Sequence, residues 1–492
     1  MSTPVLILTA VLKIVFILLI VVGVFAPLLV WAERRQSAMI QDRVGPNRAG
    51  IPLPQSVRDF MSSTVGPLKL GAFGARMGAA ACVLAYVLLF FKDEPTLFGL
   101  GGGIFLIGAV LSALGAGALN FGSKMHAGWS KSGKITLLGT LHSAADALKM
   151  MWKEDFQPPK ADGFLFSLAP IITVIPAIAS FAVIPFAGIL YLGGWDSIVA
   201  VDATGAAHAF DFFALTEAGA IDFAQGAPIE GSTVPMQVAS LNIGVLFIFA
   251  VAGTGIIGAA IGGYASDNKY SLMGGIRAAS QMVSYEVALG LTIVPCFMVY
   301  NSLRLEEMAA WQVETGWWGI AIPPLTLAFI LYFASSIAET KRVPFDAPEG
   351  ESELVGGYLT EYSGMKFGMF FTGEFVEVVA LSALAAVLFF GGYDVPFLHH
   401  YGFDLPGTWE VGVPFTDWVL SDKIPLLHWG VLAIQVLAML VKIIVFIFIQ
   451  LTIRWSLPRF RYDQIMQLCW KGILPLALAN VLVTGALILL WN

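Results

Sequence analysis

The chain has 492 residues, 57% of them hydrophobic and 12% charged, about half the charged share of an ordinary soluble domain. That composition excludes a free soluble enzyme and describes a polytopic membrane protein, and the net charge of -7 with no basic run gives no reason to expect a nucleic-acid partner. Cys82, Cys296 and Cys469 lie far apart in apolar segments, so neither a disulfide framework nor a metal site follows from them.

Ten segments are long enough to cross roughly 30 Å of hydrocarbon: 5–31, 76–91, 101–121, 164–192, 237–263, 276–300, 317–338, 367–392, 427–453 and 472–491. Backbone inside a bilayer has no water to bond, and no barrel-type alternation is present, so these are predicted to be helices. The first is too long for a signal-peptide core and lacks a small-x-small cleavage site; it is expected to be retained. Basic residues collect on one side of the resulting topology, from Arg34, Arg35 and Arg43 through Lys149, Arg277, Lys341 and Arg342 to Arg454 and Arg461. The other side receives Lys92, Arg304 and Lys423, and loop 193–236 has six acids with no Lys or Arg. The positive-inside rule then predicts a multi-pass protein with its N-terminus outside, which in a bacterial inner membrane is the periplasmic side, and with 339–362 facing the cytoplasm.

The first basic segment reads WAERRQSAMIQDRVGPNRAGIP, with Glu33, Arg34 and Arg35 at the end of the first span and Asp42, Arg43 and Arg48 around a Gly45-Pro46-Asn47 turn. A positive-inside anchor accounts for the arginines but not for the acids among them or the rigid turn. Arginine also holds a partner's carboxylates in fixed geometry. Further on, Leu141, Ala144, Leu148 and Met151 of TLHSAADALKMMWKE recur at helical spacing, while Asp146, Lys149 and Lys153 fall elsewhere around the helix. That pattern predicts an amphipathic helix over 140–154 lying on the membrane surface. In GWSKSGKIT the glycines imitate a phosphate loop, but Ile135 stands where Ser or Thr is required, and the match is rejected.

The stretch 339–362, ETKRVPFDAPEGESELVGGYLTEY, lies between two spans and holds six carboxylates: Glu339, Asp346, Glu349, Glu351, Glu353 and Glu361. Lys341 and Arg342 oppose them. Like charges this dense cannot all ionise cheaply, so proton handling beside hydrocarbon is the expected role. A solvated acidic loop is the plainer reading, but Pro344, Phe345, Pro348, Leu354, Val355 and Tyr358 are too apolar and rigid for one. Lys13, Glu286, Glu374, Glu377 and Lys442 interrupt apolar helices; function is the default for Glu286 and Glu374, whereas Lys13 and Lys442 could equally pair locally or snorkel.

Four motifs in this order, ERR…DRVGPNRAG, ADALKMMWKEDFQPPKAD, NKYSLMGGIRAASQMVSYE and AETKRVPFDAPEGESELVGGYLTEY, resemble one family: the membrane subunit of respiratory complex I (proton-pumping NADH:quinone oxidoreductase) that holds the membrane end of the quinone chamber. The resemblance covers 1–52, 137–192, 237–300, 317–392 and, more loosely, 427–492. It implies an all-α fold with an eight-span core, a surface amphipathic helix and a docking face for hydrophilic partner subunits. Its proton-coupling carboxylates would be Glu286, Glu339, Asp346, Glu349, Glu351, Glu353 and Glu374. Glu33, Arg34, Arg43, Asp146, Arg277 and Arg342 would stand around the quinone tunnel. No cofactor is expected on this chain; quinone is the substrate, and NADH, FMN and iron-sulfur clusters would belong to partner subunits. Other complex I subunits, lipid and quinone are the expected partners.

The family pattern is interrupted at 53–136, where a two-span hairpin is expected as a peripheral insertion between segment 1–52 and the remainder, 137–492. Two other classes compete. A related membrane hydrogenase or cofactor dehydrogenase would share the core, but the dense acids of 339–362 and the full ERR…GPNR segment favour the quinone enzyme. A secondary transporter would show two similar halves with interrupted helices, which the sequence lacks.

Overall fold

The computed structural model describes residues 3–43, 45–46, 51–52, 55, 59, 63, 134–135, 139–192, 198–201, 207–210, 232–399, 402–404, 410–412, 419–421, 423–425 and 428–491. The chain divides into a larger unit, Met1–Arg43, Asp146–Leu405 and Lys423–Asn492, and a smaller one, Val44–Ala145 and Pro406–Asp422.

In chain order the helices are α1 (Thr3–Ile17, continuing through a π-helical stretch Leu18–Phe25 into Ala26–Ile40), α2 (Leu141–Trp152), α3 (Gly163–Ala179), α4 (Gly244–Ala265), α5 (Lys269–Tyr300) and α6 (Leu305–Thr315). They continue with α7 (Pro323–Glu339), α8 (Glu351–Leu354), α9 (Gly364–Phe389), α10 (His428–Ser456) and α11 (Tyr462–Gln467, through a π-helical stretch Leu468–Ile473 into Leu474–Trp491). Seven helices among the described residues are long and apolar enough to cross a membrane, and α7 is a shorter apolar one. The protein is therefore an all-α polytopic membrane protein. The expected spans 76–91 and 101–121 lie outside the described residues.

Two helices begin well before their predicted spans. α5 starts at Lys269 and not at 276, because the Asn268 side chain caps it by accepting from the Tyr270 backbone N–H at 2.9 Å. α11 starts at Tyr462 and not at 472. In both, polar first turns project beyond the apolar window that a hydropathy reading detects.

The centre of the larger unit is α9. Of its most apolar window 83% is buried, against 50% for α5 and no more than 39% for the other spanning helices. It is apolar on every side, as a helix surrounded by others must be: Val376, Val379, Ala383, Leu384 and Leu388 are all inside. α3, α7, α10 and α1 pack around it. At the far end of α9, Lys442 of α10 donates to the carbonyls of Phe390, Gly392 and Asp394 at 2.7, 2.9 and 2.7 Å. That satisfies carbonyls orphaned at a helix end, so local pairing accounts for Lys442. Lys13 likewise donates to the Gln237 carbonyl at 2.9 Å.

α2 carries Leu148, Met151 and Trp152 exposed on its surface. An amphipathic helix with bare apolar side chains suits a bilayer surface. Short strands, which the sequence pattern does not announce, pair in the connections of the larger unit: Ile189–Leu192 with Ser232–Pro235, Ile198–Val201 with Ala207–Phe210, and Gly402–Asp404 with both Leu398–His399 and Lys423–Pro425. In the smaller unit Ile51–Pro52 pairs with Lys134–Ile135, and Glu410–Gly412 pairs with Val419–Ser421.

Candidate proton-coupling site

The acidic stretch is a folded plug, not a solvated loop. α7 ends at Glu339, a turn brings in Asp346, α8 follows, and a 3-10 turn Gly357–Leu359 leads into α9. Its apolar residues turn inward: Phe345, Leu354, Tyr358, Leu359 and Tyr362 are buried. Tyr362 stacks on Phe166 with ring centroids 4.1 Å apart, and Phe345 packs between Tyr285 and Phe460. Gln281 of α5 pins the plug by donating to the carbonyls of Ala338 at 2.8 Å and Phe345 at 2.7 Å. Two glycines make the approach possible. A Cβ on Gly274 would lie 2.5 Å from the Tyr358 backbone nitrogen, and Gly357 has φ +57° with the Pro348 carbonyl where its Cβ would be.

This packing brings charges together at the inner face of the plug. Glu374, on α9, accepts a 2.7 Å hydrogen bond from the Tyr358 hydroxyl. Lys341 Nζ and Arg342 Nη2 each stand 3.8 Å from its carboxylate. Arg342 turns its Nη1 to Glu33 of α1 at 3.2 Å, and its guanidinium lies 4.0 Å from the Phe375 ring centroid. Glu33 is also paired with Arg454 of α10. Charges this deep are tolerated only when paired and hydrogen-bonded. Here acids and bases alternate, Glu374 to Arg342 to Glu33 to Arg454, so each has an opposite neighbour.

Glu349 sits beside this network. Burial, reinforced by the Glu374 charge, pushes its pKa up to about 8 against the opposing pull of Arg342 and Lys341. Burial thus favours the protonated carboxyl over the carboxylate at this position. Asp346 instead accepts from Arg459 at 2.5 Å. Glu361 accepts from Asn268 at 2.6 Å. Glu353 is half exposed and pairs with Arg277 at 2.6 Å. Glu351 opens α8, but its side chain is outside the described residues.

Deeper in the bundle, Glu286 of α5 and Glu339 of α7 line one cavity of about 40 Å³ with Lys341 and Glu377. At the rim, Arg34 of α1 pairs with Asp146 of α2 at 2.6 Å. Arg43 is exposed beyond the end of α1.

The structure thus groups the sequence-derived residues in three sets: Glu33, Arg342 and Glu374; Glu286 with Glu339; and the rim pairs Arg277–Glu353 and Arg34–Asp146. The spatial order differs from the chain order. Glu353 meets α5 at Arg277, nine positions and about 13 Å of helix rise before Glu286, so it does not face Glu286 directly. Glu349 instead lies within the electrostatic reach of Glu374. Four neighbours of these groups are not singled out by the sequence. Arg454 and Arg459 are among the basic residues that set the topology, Tyr358 reads as an apolar residue of the stretch, and Glu377 is an acid in an apolar helix with no assigned role. The signal for Tyr358 was its place after the Gly356-Gly357 pair.

The NADH dehydrogenase family model matches residues 12–141 and 124–485. An NADH-quinone oxidoreductase subunit of Cytophaga hutchinsonii is 38% identical over 353 residues, 72% of this chain and 85% of that protein. The corresponding subunit of Geobacter metallireducens is 38% identical over 359 residues, 73% and 85% of the two chains. That of Geobacter sulfurreducens is 38% identical over 354 residues, 72% and 84%. With the all-helical membrane fold and the charged plug, these likenesses establish that the chain belongs to the NADH dehydrogenase family, as a membrane subunit of the NADH-quinone oxidoreductase complex.

Proposed function

We propose that this chain forms the membrane end of the quinone chamber and couples quinone reduction to proton translocation through its carboxylates. The observation that carries the reading is the continuity of the charged network. It runs from Glu349 in the plug to Glu374 on the central helix α9, and by way of Lys341 to the cavity of Glu339 and Glu286. Quinone enters from the bilayer between α1 and α2, where the pair Arg34–Asp146 stands. It moves toward hydrophilic partner subunits that carry NADH, FMN and iron-sulfur chemistry. Reduction changes the charge and proton demand of the chamber. The plug answers by passing protons inward, since carboxyl groups near neutral pKa exchange protons readily. The plug and the amphipathic helix face the cytoplasm of a bacterial inner membrane, with the N-terminus on the periplasmic side, as the distribution of Lys and Arg supports.

The test compares Glu349→Gln and Glu286→Gln in the assembled complex, with NADH:quinone turnover and proton translocation measured side by side. Both should fall together, while NADH oxidation by a soluble artificial acceptor persists. Full turnover with normal pumping in both variants would reject the coupling role.

A further inference from the structure

We infer that Glu377 is an additional proton-carrying residue, exchanging protons with Glu339 and Glu286 through water held in the cavity they share. The inference rests on the coupling role proposed above and assigns it a residue that the sequence motifs leave out.

Three observations carry it. First, Glu377 follows Glu374 by one helical turn on α9 and lines the cavity between α3, α4, α5 and α9, together with Glu286, Glu339 and Lys341. Second, Glu377 makes neither a hydrogen bond nor an ion pair among the described residues, so it ties no two elements together. A carboxyl kept at the centre of the bundle without such a partner is not explained by packing. Third, Glu339 is 5% exposed and its Oε2 is buried with no hydrogen-bond partner among the described residues. A buried acceptor of this kind costs free energy unless something supplies a donor. The cavity of about 40 Å³ has room for roughly two or three waters, and Glu286, Glu339, Glu377 and Lys341 put polar partners on its otherwise mostly apolar wall. Glu286, which lines the same space, also lies close against α4: its Oε1 is 2.8 Å from where a Cβ on Gly253 would stand.

The cavity therefore presents three carboxyl groups and one fixed ammonium to a small body of water. Balancing three carboxylates against one cation requires protons, so exchangeable protons belong to the cavity as well as water. In each step the O–H bond of a protonated carboxyl breaks and its proton passes to a water oxygen. That water releases one of its own protons to a carboxylate across the cavity. The donor becomes a carboxylate, the acceptor a carboxylic acid, and no electron moves.

The experiment uses the assembled complex and the variants Glu377→Gln, Glu377→Asp and Ala252→Leu, the last filling the cavity without altering a titrating group. Glu377→Gln should lose most NADH:quinone turnover and proton translocation while artificial-acceptor activity is kept. Glu377→Asp should restore most of both, and Ala252→Leu should reproduce the loss. Normal turnover and pumping in Glu377→Gln, with Glu286→Gln impaired, overturns the role of Glu377 and leaves the coupling reading standing. Normal behaviour in both Gln variants overturns the coupling reading itself. Loss of artificial-acceptor activity in Glu377→Gln, unrescued by Asp, makes Glu377 structural and overturns the inference.

Discussion

Arg342 and Glu33 meet at 3.2 Å although 309 positions separate them in the chain. The contact ties the acidic plug to the end of α1, and Arg454 closes it from α10. Three elements distant in sequence thus share one buried carboxylate, which makes the plug a fixed part of the bundle.

Breaking that contact should therefore be costly. Glu33→Ala leaves Arg342 and Arg454 facing each other without their shared acid, and removing one partner of a buried pair costs about 3–5 kcal/mol. A lower melting temperature of the complex, together with reduced quinone reductase activity, is expected. Arg342→Lys should not preserve activity, because a lysine cannot span two carboxylates and stack on Phe375 as the guanidinium does. Unchanged melting in Glu33→Ala would show that the pair contributes nothing.

Arg277→Met should lower NADH:quinone turnover and spare artificial-acceptor activity, since it frees Glu353 at the rim. Because the two side chains form one pair, Glu353→Gln on top of Arg277→Met should add little. Additive losses would mean that the two act separately.

Gly274→Ala puts a methyl group 2.5 Å from the Tyr358 backbone nitrogen, a clash with main chain and not with a flexible tip. The plug must shift, at a cost of about 1–3 kcal/mol for overpacking. Reduced melting temperature and slowed quinone reduction should appear together. Ala at Gly290 of the same helix, where a Cβ would meet nothing within 4 Å, is the control and should be tolerated.

Glu349 gives a pH dependence of definite sign. Its pKa rises from 4.5 in the free chain to about 8 in the folded plug, so between those values the folded state binds the extra proton. Stability therefore falls as pH rises through that window and levels off above about 8. Glu349→Gln removes this contribution, so its melting temperature should fall less steeply as pH is raised toward 8. Identical slopes in both proteins would show that Glu349 does not carry the shifted proton.

The insertion proposed at 53–136 leaves and returns at one place, because Pro52 is the strand neighbour of Lys134. A short turn joining 52 to 134 should therefore give a complex with detectable quinone reductase activity. Failure of that deletion to assemble would make the segment part of a subunit interface.

The membrane-spanning helices and the acidic character of the site follow from local properties of the chain. Hydrophobic length marks a helix that crosses hydrocarbon wherever it sits in the fold. Seven long helices and the shorter α7 appear near the expected spans for that reason. The density of carboxylates in 339–362 and the acid at Glu374 are likewise legible in the residues themselves. Partnership does not follow from local sequence. That Glu33 answers Arg342 and Arg454, that Tyr358 donates to Glu374, and that Asp346 takes Arg459 are all decided by helix packing across long stretches of chain. The same packing decides that Glu353 meets Arg277 and not Glu286. It also encloses the space shared by Glu286, Glu339 and Glu377. A carboxylate's identity is written in one residue, whereas its partner, burial and proton affinity are properties of the neighbours that tertiary structure assembles around it.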